Sequence, residues 1–137
     1  MLIKANWKGE IGIKQLPKVT LCIPVYNSEK TIARTLESLL AQSYPIYKIK
    51  IFDNASTDHS REICHKFSQL HSHIELHFNE LNIGAEGNFT RCIQAAEGDY
   101  CAIVHADDIY DSDFILKSVE VLENSNEYSR NWIYWEN

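Results

Sequence analysis

Tyr100-Cys101-Ala102-Ile103-Val104-His105-Ala106-Asp107-Asp108 is the stretch whose reading decides the fold. Its first half is a nearly unbroken apolar run, and a strand covered on both faces shows such a run rather than alternation. The run ends in two adjacent carboxylates, Asp107 and Asp108. In open α/β sheets, ligands bind in the crevice beyond the carboxyl ends of the strands. Two neighbouring acids there repel each other unless a cation or a proton relieves them. A hard divalent ion, Mg²⁺ or Mn²⁺, shared with a phosphorylated ligand would do so. The competing reading is a strand that simply ends in a polar turn.

Outward from this stretch, apolar runs and helical periodicities alternate. Val19–Ile23 reads as a short buried strand stopped by Pro24. Val25 to Ser28 is a turn, with Asn27 or Ser28 placed to cap a helix and Glu29 suited to its positive end. Ile32, Leu36, Leu39 and Leu40 then share one helical face, and Tyr44-Pro45 ends that helix. The next strand is predicted over Tyr47–Phe52, less buried than the first because Lys48 and Lys50 alternate with Ile49 and Ile51. Turn and cap residues fill Asp53–Asp58, and Ile63, Cys64, Phe67 and Leu70 mark a second helix. Ile74–Phe78 alternates as an edge strand should. A loop around Gly84, a helix over 87–96 and a stop at Gly98 lead into the decisive stretch, read as the central strand. A last helix covers Phe114–Leu122. Residues 1–17 lack periodicity and read as a leader arm, 18–125 as the domain, and 126–137 as a tail.

Strands alternating with helices imply a mostly parallel sheet with right-handed crossovers. The clusters Tyr26-Asn27, Asp53-Asn54 and Asp107-Asp108 each follow a strand, so they are expected to converge on one sheet edge.

Composition narrows the classes. The 137 residues make one domain, 45% hydrophobic and 23% charged, and the net charge of −6 argues against nucleic-acid binding. No apolar run reaches the roughly 18 residues that span a bilayer. Lys4, Lys8 and Lys14 without an apolar core make a poor secretory signal, so a cytoplasmic location is expected. Contact with the inner membrane face through Trp7 and these lysines is a lesser reading. Cys22, Cys64, Cys92 and Cys101 form no CxxC pair and read as buried free thiols. His71, His73 and His77 cluster, but without convergent partners they read as surface residues rather than a metal site. The sequons at Asn54 and Asn88 are expected to go unused.

No GxGxxG or GxxxxGK[ST] follows the first strand, which leaves a site built from an aromatic, amides and acids. Tyr26 can stack on a base. Asp53 and Asn54 can hydrogen-bond a base edge or ribose. Asp107 and Asp108 can hold a metal that bridges a diphosphate.

At this point a family resemblance emerges. Val19-Thr20-Leu21-Cys22-Ile23-Pro24-Val25-Tyr26-Asn27-Ser28-Glu29 resembles the opening of family 2 glycosyltransferases. Asp53-Asn54-Ala55-Ser56-Thr57-Asp58 is similar to their second signature. Asn82-Ile83-Gly84 with Asn88-Phe89-Thr90-Arg91-Cys92 resembles the third block, and Gly98-Asp99-Tyr100 through Asp108 resembles the strand with the DxD-type metal motif. The resemblance implies a Rossmann-like GT-A fold, an α/β architecture whose C-terminal part is missing from this chain. It implies transfer of a sugar from a nucleotide-diphosphate donor to a saccharide or lipid-linked acceptor hydroxyl, in polysaccharide or glycoconjugate synthesis. Pro24, Tyr26, Asn27, Glu29, Asp53, Asn54 and Asp107 would then bind the nucleotide. Tyr26 would pack on the base and Asn54 would touch its edge; Asp107 would face ribose or metal, and Asp108 would be the direct metal ligand. Glu29, Asp53 and Asp58 have an alternative employment as helix-cap and turn acids.

His105 departs from the family, standing where many members carry the first acid of an Asp-x-Asp-Asp run. Family members also continue into an acceptor half with the catalytic base. Glu120, Glu123, Glu127 and Glu136 follow the metal motif here, none in a recognisable base motif, so the base is unassigned. The rival readings are a non-catalytic nucleotide-sugar-binding module and a structural remnant. The remnant would expose apolar sheet surface and form homo-oligomers. A receiver-type signalling domain would need acids where this chain has Pro24-Val25-Tyr26.

Overall fold

The computed structural model describes residues 4–5, 11–12 and 15–124. Two short strands, β1 (Lys4–Ala5) and β2 (Ile11–Gly12), pair antiparallel within the stretch read as an arm. Strands of two residues are too short for a hydrophobic period to register. The tail read over 126–137, and Trp7, lie outside the described residues.

The main sheet has four strands, β3 (Val19–Val25), β4 (Lys48–Asp53), β5 (Ile74–Phe78) and β6 (Tyr100–Ile103), ordered β5-β4-β3-β6 and all parallel. The chain steps outward from β3 to β5 and then crosses back to the other side of β3. With right-handed crossovers, that reversal must put the returning helix on the opposite face from the first two. The buried residues divide accordingly. Helices α1 (Ile32–Leu40), α2 (Ser60–Leu70) and α4 (Phe114–Asn124) contribute Leu36, Cys64 and Ile115 to a core with Leu21, Ile23, Ile49 and Ile51. Helix α3 (Gly84–Gln94) brings Cys92 against Cys22, Phe52 and Cys101 on the other face.

Several expectations need correction. The decisive strand is not central: among the described residues β6 pairs only with β3, and β3 and β4 occupy the middle. It is nevertheless buried at Tyr100, Cys101 and Ala102, because α4 and α3 cover its two faces. The strand predicted over Tyr47–Phe52 is less buried than the first, as expected: Tyr47 is 38% exposed and Lys48 half-buried, where Val19–Ile23 is buried throughout. Lys50 is only 7% exposed, its ammonium donating to the Ala95 carbonyl at 3.0 Å and pairing with Glu97. A satisfied ammonium can be buried, so the alternating lysines open the strand less than their charge suggests. Leu70, expected on a buried face, is 79% exposed at the end of α2. His71, His73 and His77 are each partly exposed, and His77 stacks on Phe52 at 4.8 Å between ring centroids. The cysteines are buried and free, as expected; burial pushes the Cys64 and Cys92 thiols up to about 12, which keeps them protonated. Asn54 and Asn88 are 3% and 2% exposed, which withholds both sequons from glycosylation.

The start of α3 at Gly84 has a specific cause. A helix leaves its first N–H groups without intrahelical partners. Here the Asn54 side-chain oxygen accepts from Ile83 N–H at 2.9 Å, and Asn82 Oδ1 accepts from Gly84 N–H at 2.8 Å. Those amides start the helix within the predicted loop. Gly98 is not its stop, since Ala95 N–H and Ala96 N–H already close back on Arg91 and Ile93.

One local feature yields a prediction. Ala55 sits at φ +56°, in the left-handed region. That conformation costs an L-residue about 1–2 kcal/mol, and glycine's extra unfolded freedom offsets part of the relief. Ala55→Gly should therefore stabilise the domain by about 0.5–1 kcal/mol, read as a higher urea midpoint at unchanged slope. A lower midpoint would refute the strain.

Candidate active site

The carboxyl ends of β3, β4 and β6 meet at the point where strand order reverses. Two cavities open there, on either side of Tyr26. The first, about 620 Å³, lies toward α1 and is lined by Pro24, Tyr26, Asn27, Glu29, Lys30, Asp58, His105 and Asp107 among others. The second, about 690 Å³, lies toward α3, with Pro24, Tyr26, Asn54, Glu86, Asn88, Phe89 and His105 in its wall. Pro24, Tyr26 and His105 belong to both and form the ridge between them. The Tyr26 ring, 49% exposed, is available for stacking.

The three sequence clusters do converge, but not every side chain reaches the cavities. Asp107 is exposed and lines the α1-side cavity, whereas Asp108 is half-buried and lines neither. Asp53 is fully buried; its Oδ2 accepts from Arg61 at 2.9 and 3.1 Å and from Ser56 N–H, while Oδ1 has no partner. Its observed employment is to hold α2 against the end of β4.

Asn54 lines the second cavity but is the candidate most fully engaged within the fold. Its Nδ2 donates to Asn82 Oδ1 at 2.9 Å and to the Gly84 carbonyl at 3.2 Å. Its Oδ1 accepts from Asn79 Nδ2 at 2.8 Å and from Ile83 N–H. A carboxamide has two donors and one oxygen with two lone pairs, so this one is fully committed. No hydrogen-bonding capacity remains for a base edge. Asn79 also donates to Asn88 Oδ1 at 3.1 Å, and Asn88 donates to the Phe52 carbonyl at 2.9 Å. Asn54 thus belongs to an amide relay that docks α3 onto β4 and fixes the α3-side wall.

Neither Asn27 nor Ser28 caps α1, whose N-cap Thr31 makes no side-chain cap bond. Asn27, at φ +47°, instead locks the β3–α1 loop to the β4–α2 loop: its N–H donates to Ser56 Oγ, and its Oδ1 accepts from Thr57 N–H at 2.8 Å. Glu29 sits at the start of α2, accepting from His59 N–H and pairing with the His59 ring at 2.8 Å. Those bonds hold its carboxyl below the usual range and raise the His59 imidazole. Asp58 accepts from Glu29 N–H and Ser60 N–H. Glu29 and Asp58 therefore act as cap and turn acids while also lining the first cavity.

Thr35, Ser38 and Gln42 were not singled out in the sequence, yet they hold the acid-bearing loop. They lie at i, i+3 and i+7 along α1 and its C-terminal extension, a polar stripe beside the apolar one, and that spacing was the available signal. Thr35 Oγ1 lies 2.9 Å from the Ala106 carbonyl and 2.8 Å from the Asp108 carbonyl. Ser38 Oγ accepts from Tyr110 N–H at 3.1 Å, and Gln42 grips Asp111 O and Ile115 N–H. His105 N–H donates to the Tyr110 hydroxyl at 2.8 Å. Burial pushes that phenol up to about 12, with Asp108 and Asp107 adding to the effect.

Among the described residues, no group of three or more His, Cys, Asp or Glu side chains gathers as a metal cluster. Mg²⁺ and comparable hard cations need only one or two carboxylates when substrate phosphates and water complete the shell. Asp107 and Asp108 offer that oxygen-donor set, so the residues present fit such an ion.

Comparison with known proteins agrees with the geometry. The family model for glycosyl transferase family 2 matches residues 20–132. EpsE of Bacillus subtilis, named as a glycosyltransferase, is 34% identical over 113 residues, covering 82% of this chain and 41% of its own length. TuaG of the same organism, named for teichuronic acid biosynthesis, is 31% identical over 125 residues, 90% of this chain and 46% of TuaG. The chain therefore spans less than half the length of these relatives. The crystal structure of S. aureus TarS residues 1–349 with UDP-GlcNAc superposes at a TM-score of 0.65, with 28% identity over 77% of this chain and 30% of that one. A mannosyltransferase from Pyrobaculum calidifontis, 24% identical, shares the fold at a TM-score of 0.72 over 79% of this chain and 33% of its own. No helix among the described residues is long and apolar enough to cross a membrane.

Proposed function

The chain belongs to glycosyl transferase family 2, and from that membership we propose that residues 18–125 form the donor-binding unit of a sugar transferase. The donor is a nucleotide-diphosphate sugar laid across the Pro24–Tyr26–His105 ridge. Its base sits in the α3-side cavity between Tyr26 and the Phe89 region, and its diphosphate turns over the ridge toward Asp107. The observation that carries this reading is the ridge shared by two cavities, one with aromatic walls and one bordered by Asp107. TarS has been crystallised with UDP and with UDP-GlcNAc, which supports a nucleotide-sugar donor.

Asp107 and Asp108 would hold a Mg²⁺ or Mn²⁺ ion. When bound, such an ion neutralises charge on the departing diphosphate. Tyr26 contributes a stacking face, and the amide relay keeps the α3 wall at a fixed distance from it. Asn54 supports that wall rather than reading the base. The acceptor is a saccharide or lipid-linked hydroxyl, in keeping with cell-surface polysaccharide or glycoconjugate synthesis.

A second reading, a binding module without turnover, is favoured by the carboxylates of the first cavity. Glu29 and Asp58 are committed to hydrogen bonds at the start of α2, which leaves Asp107 as the acid there without a hydrogen-bonding role in the fold. A general base needs hydrogen-bond reach to the acceptor proton.

Calorimetric titration with UDP, GDP and dTDP, with and without Mn²⁺, tests the donor site. One nucleotide should bind, with metal tightening it. A folded, monomeric sample that binds none of them would sink both readings. Binding without turnover across a range of acceptors would favour the module.

A further inference from the structure

We infer that Thr35 is a positioning residue for the acid pair, acting through the backbone of the loop that carries it. The inference rests on the donor-site reading above and adds a residue that the reading does not require.

Thr35 is 1% exposed in the middle of α1. Its hydroxyl faces the carbonyls of Ala106 and Asp108 at 2.9 and 2.8 Å, and that of Thr31 at 3.4 Å. One hydroxyl proton is thus shared among carbonyls of which two flank Asp107. The chain on either side of Asp107 is thereby tied to α1. Asp107 is the exposed one, lining the cavity, while Ala106 on its N-terminal side is buried. The loop is gripped further along as well: Ser38 takes Tyr110 N–H, Gln42 takes Ile115 N–H and donates to Asp111 O, and Ser43 N–H donates to Ser112 O at 2.8 Å. β6 ends at Ile103, so among the described residues this loop has no sheet partner to set its course, and the α1 stripe takes that role. Thr35 is the member of the stripe that touches the acid pair's own peptide groups.

The chemistry needs such a device. Groups that orient metal ligands without touching the metal typically change affinity by about 10–100-fold when removed. Thr35→Val keeps the side-chain shape and removes only the hydroxyl. It should cut the Mn²⁺-dependent gain in UDP or GDP affinity by about tenfold, while uridine and guanosine, measured without metal, bind within about twofold of the parent. Thr35→Ser keeps the hydroxyl and should retain the gain. If Thr35→Val does not fold, Ser38→Ala, which removes the Tyr110 anchor, should show the same selective loss at smaller size.

Four results would overturn the inference. The first is a full metal gain in Thr35→Val or, where that variant does not fold, in Ser38→Ala. The second is an equal loss of metal-free nucleoside binding, which would mark the stripe as merely structural. The third is a native chain that binds nucleotide with no metal gain at all. In the first two cases the donor reading survives. The fourth, a native chain that binds no nucleotide, removes the donor reading and takes this inference with it.

Discussion

Gly98→Ala is expected to destabilise the domain by about 1.5–3 kcal/mol, a large share of the 5–15 kcal/mol typical of a whole domain. Two costs combine. Gly98 lies at φ +84°, a conformation that costs an L-residue about 1–2 kcal/mol. A Cβ there would also meet the Lys18 carbonyl oxygen at 2.7 Å, which is backbone and cannot swing aside. That carbonyl accepts from Asp99 N–H at 2.8 Å and Tyr100 N–H at 3.0 Å, and Lys18 N–H donates to Asp99 Oδ2 at 2.7 Å. The contact therefore sets β6 in register beside β3, with Val19 opposite Tyr100. Pushing the strands apart forfeits one or two of these bonds, each worth about 1 kcal/mol. Gly84→Ala is the internal control: its φ of +80° is nearly the same, but nothing lies within 4 Å of its Cβ position. It should pay the backbone cost alone, about 0.5–1 kcal/mol once the lost unfolded-state freedom of glycine is counted. Urea unfolding of both variants measures the difference, and equal losses would show that the close approach to Lys18 is harmless.

That contact also marks what the sequence could and could not disclose. The alternation of strands and helices, the parallel sheet and the gathering of polar clusters at one edge were all legible, because they follow from local periodicity and a handedness rule. Ile32, Leu36 and Leu39 pack as their spacing demands. What was not legible depended on partners distant in the chain. Lys50 reads as exposed until Glu97 is brought beside it. Asn54 reads as a free amide until Asn79, Asn82 and Gly84 consume it. The same holds for Thr35, an ordinary helix residue until the Ala106 and Asp108 carbonyls arrive 71 and 73 positions away. Periodicity locates faces; it does not reveal which hydrogen bonds a polar residue has left to give.

Asp107→Ala and Asp108→Ala should each abolish most of the metal-dependent nucleotide affinity. The size follows from the ligand count. A cation held by one or two protein carboxylates plus phosphate oxygens loses a large part of its anchorage when either is removed. Losing an outer-shell partner already costs about 10–100-fold, so a direct ligand should cost at least about 100-fold, or roughly 2.7 kcal/mol. The two acids are not equivalent in this fold, which makes the pair informative. Asp107 is exposed in the α1-side cavity, whereas Asp108 is half-buried outside it, its carbonyl bonded to Thr35. The family resemblance puts the direct ligand at Asp108, and the cavity geometry favours Asp107. If both variants lose the Mn²⁺ gain while nucleoside binding persists, the ion draws on both carboxylates. If only Asp107→Ala loses it, Asp108 belongs to the loop's internal structure and the cavity geometry identifies the ligand. If only Asp108→Ala loses it, the side chain must turn toward the ligand on binding, with the Thr35 bond to its carbonyl as the pivot. An equal loss in chelator, where no metal can act, would count against metal binding by either acid and return the pair to the polar turn that any strand end can carry.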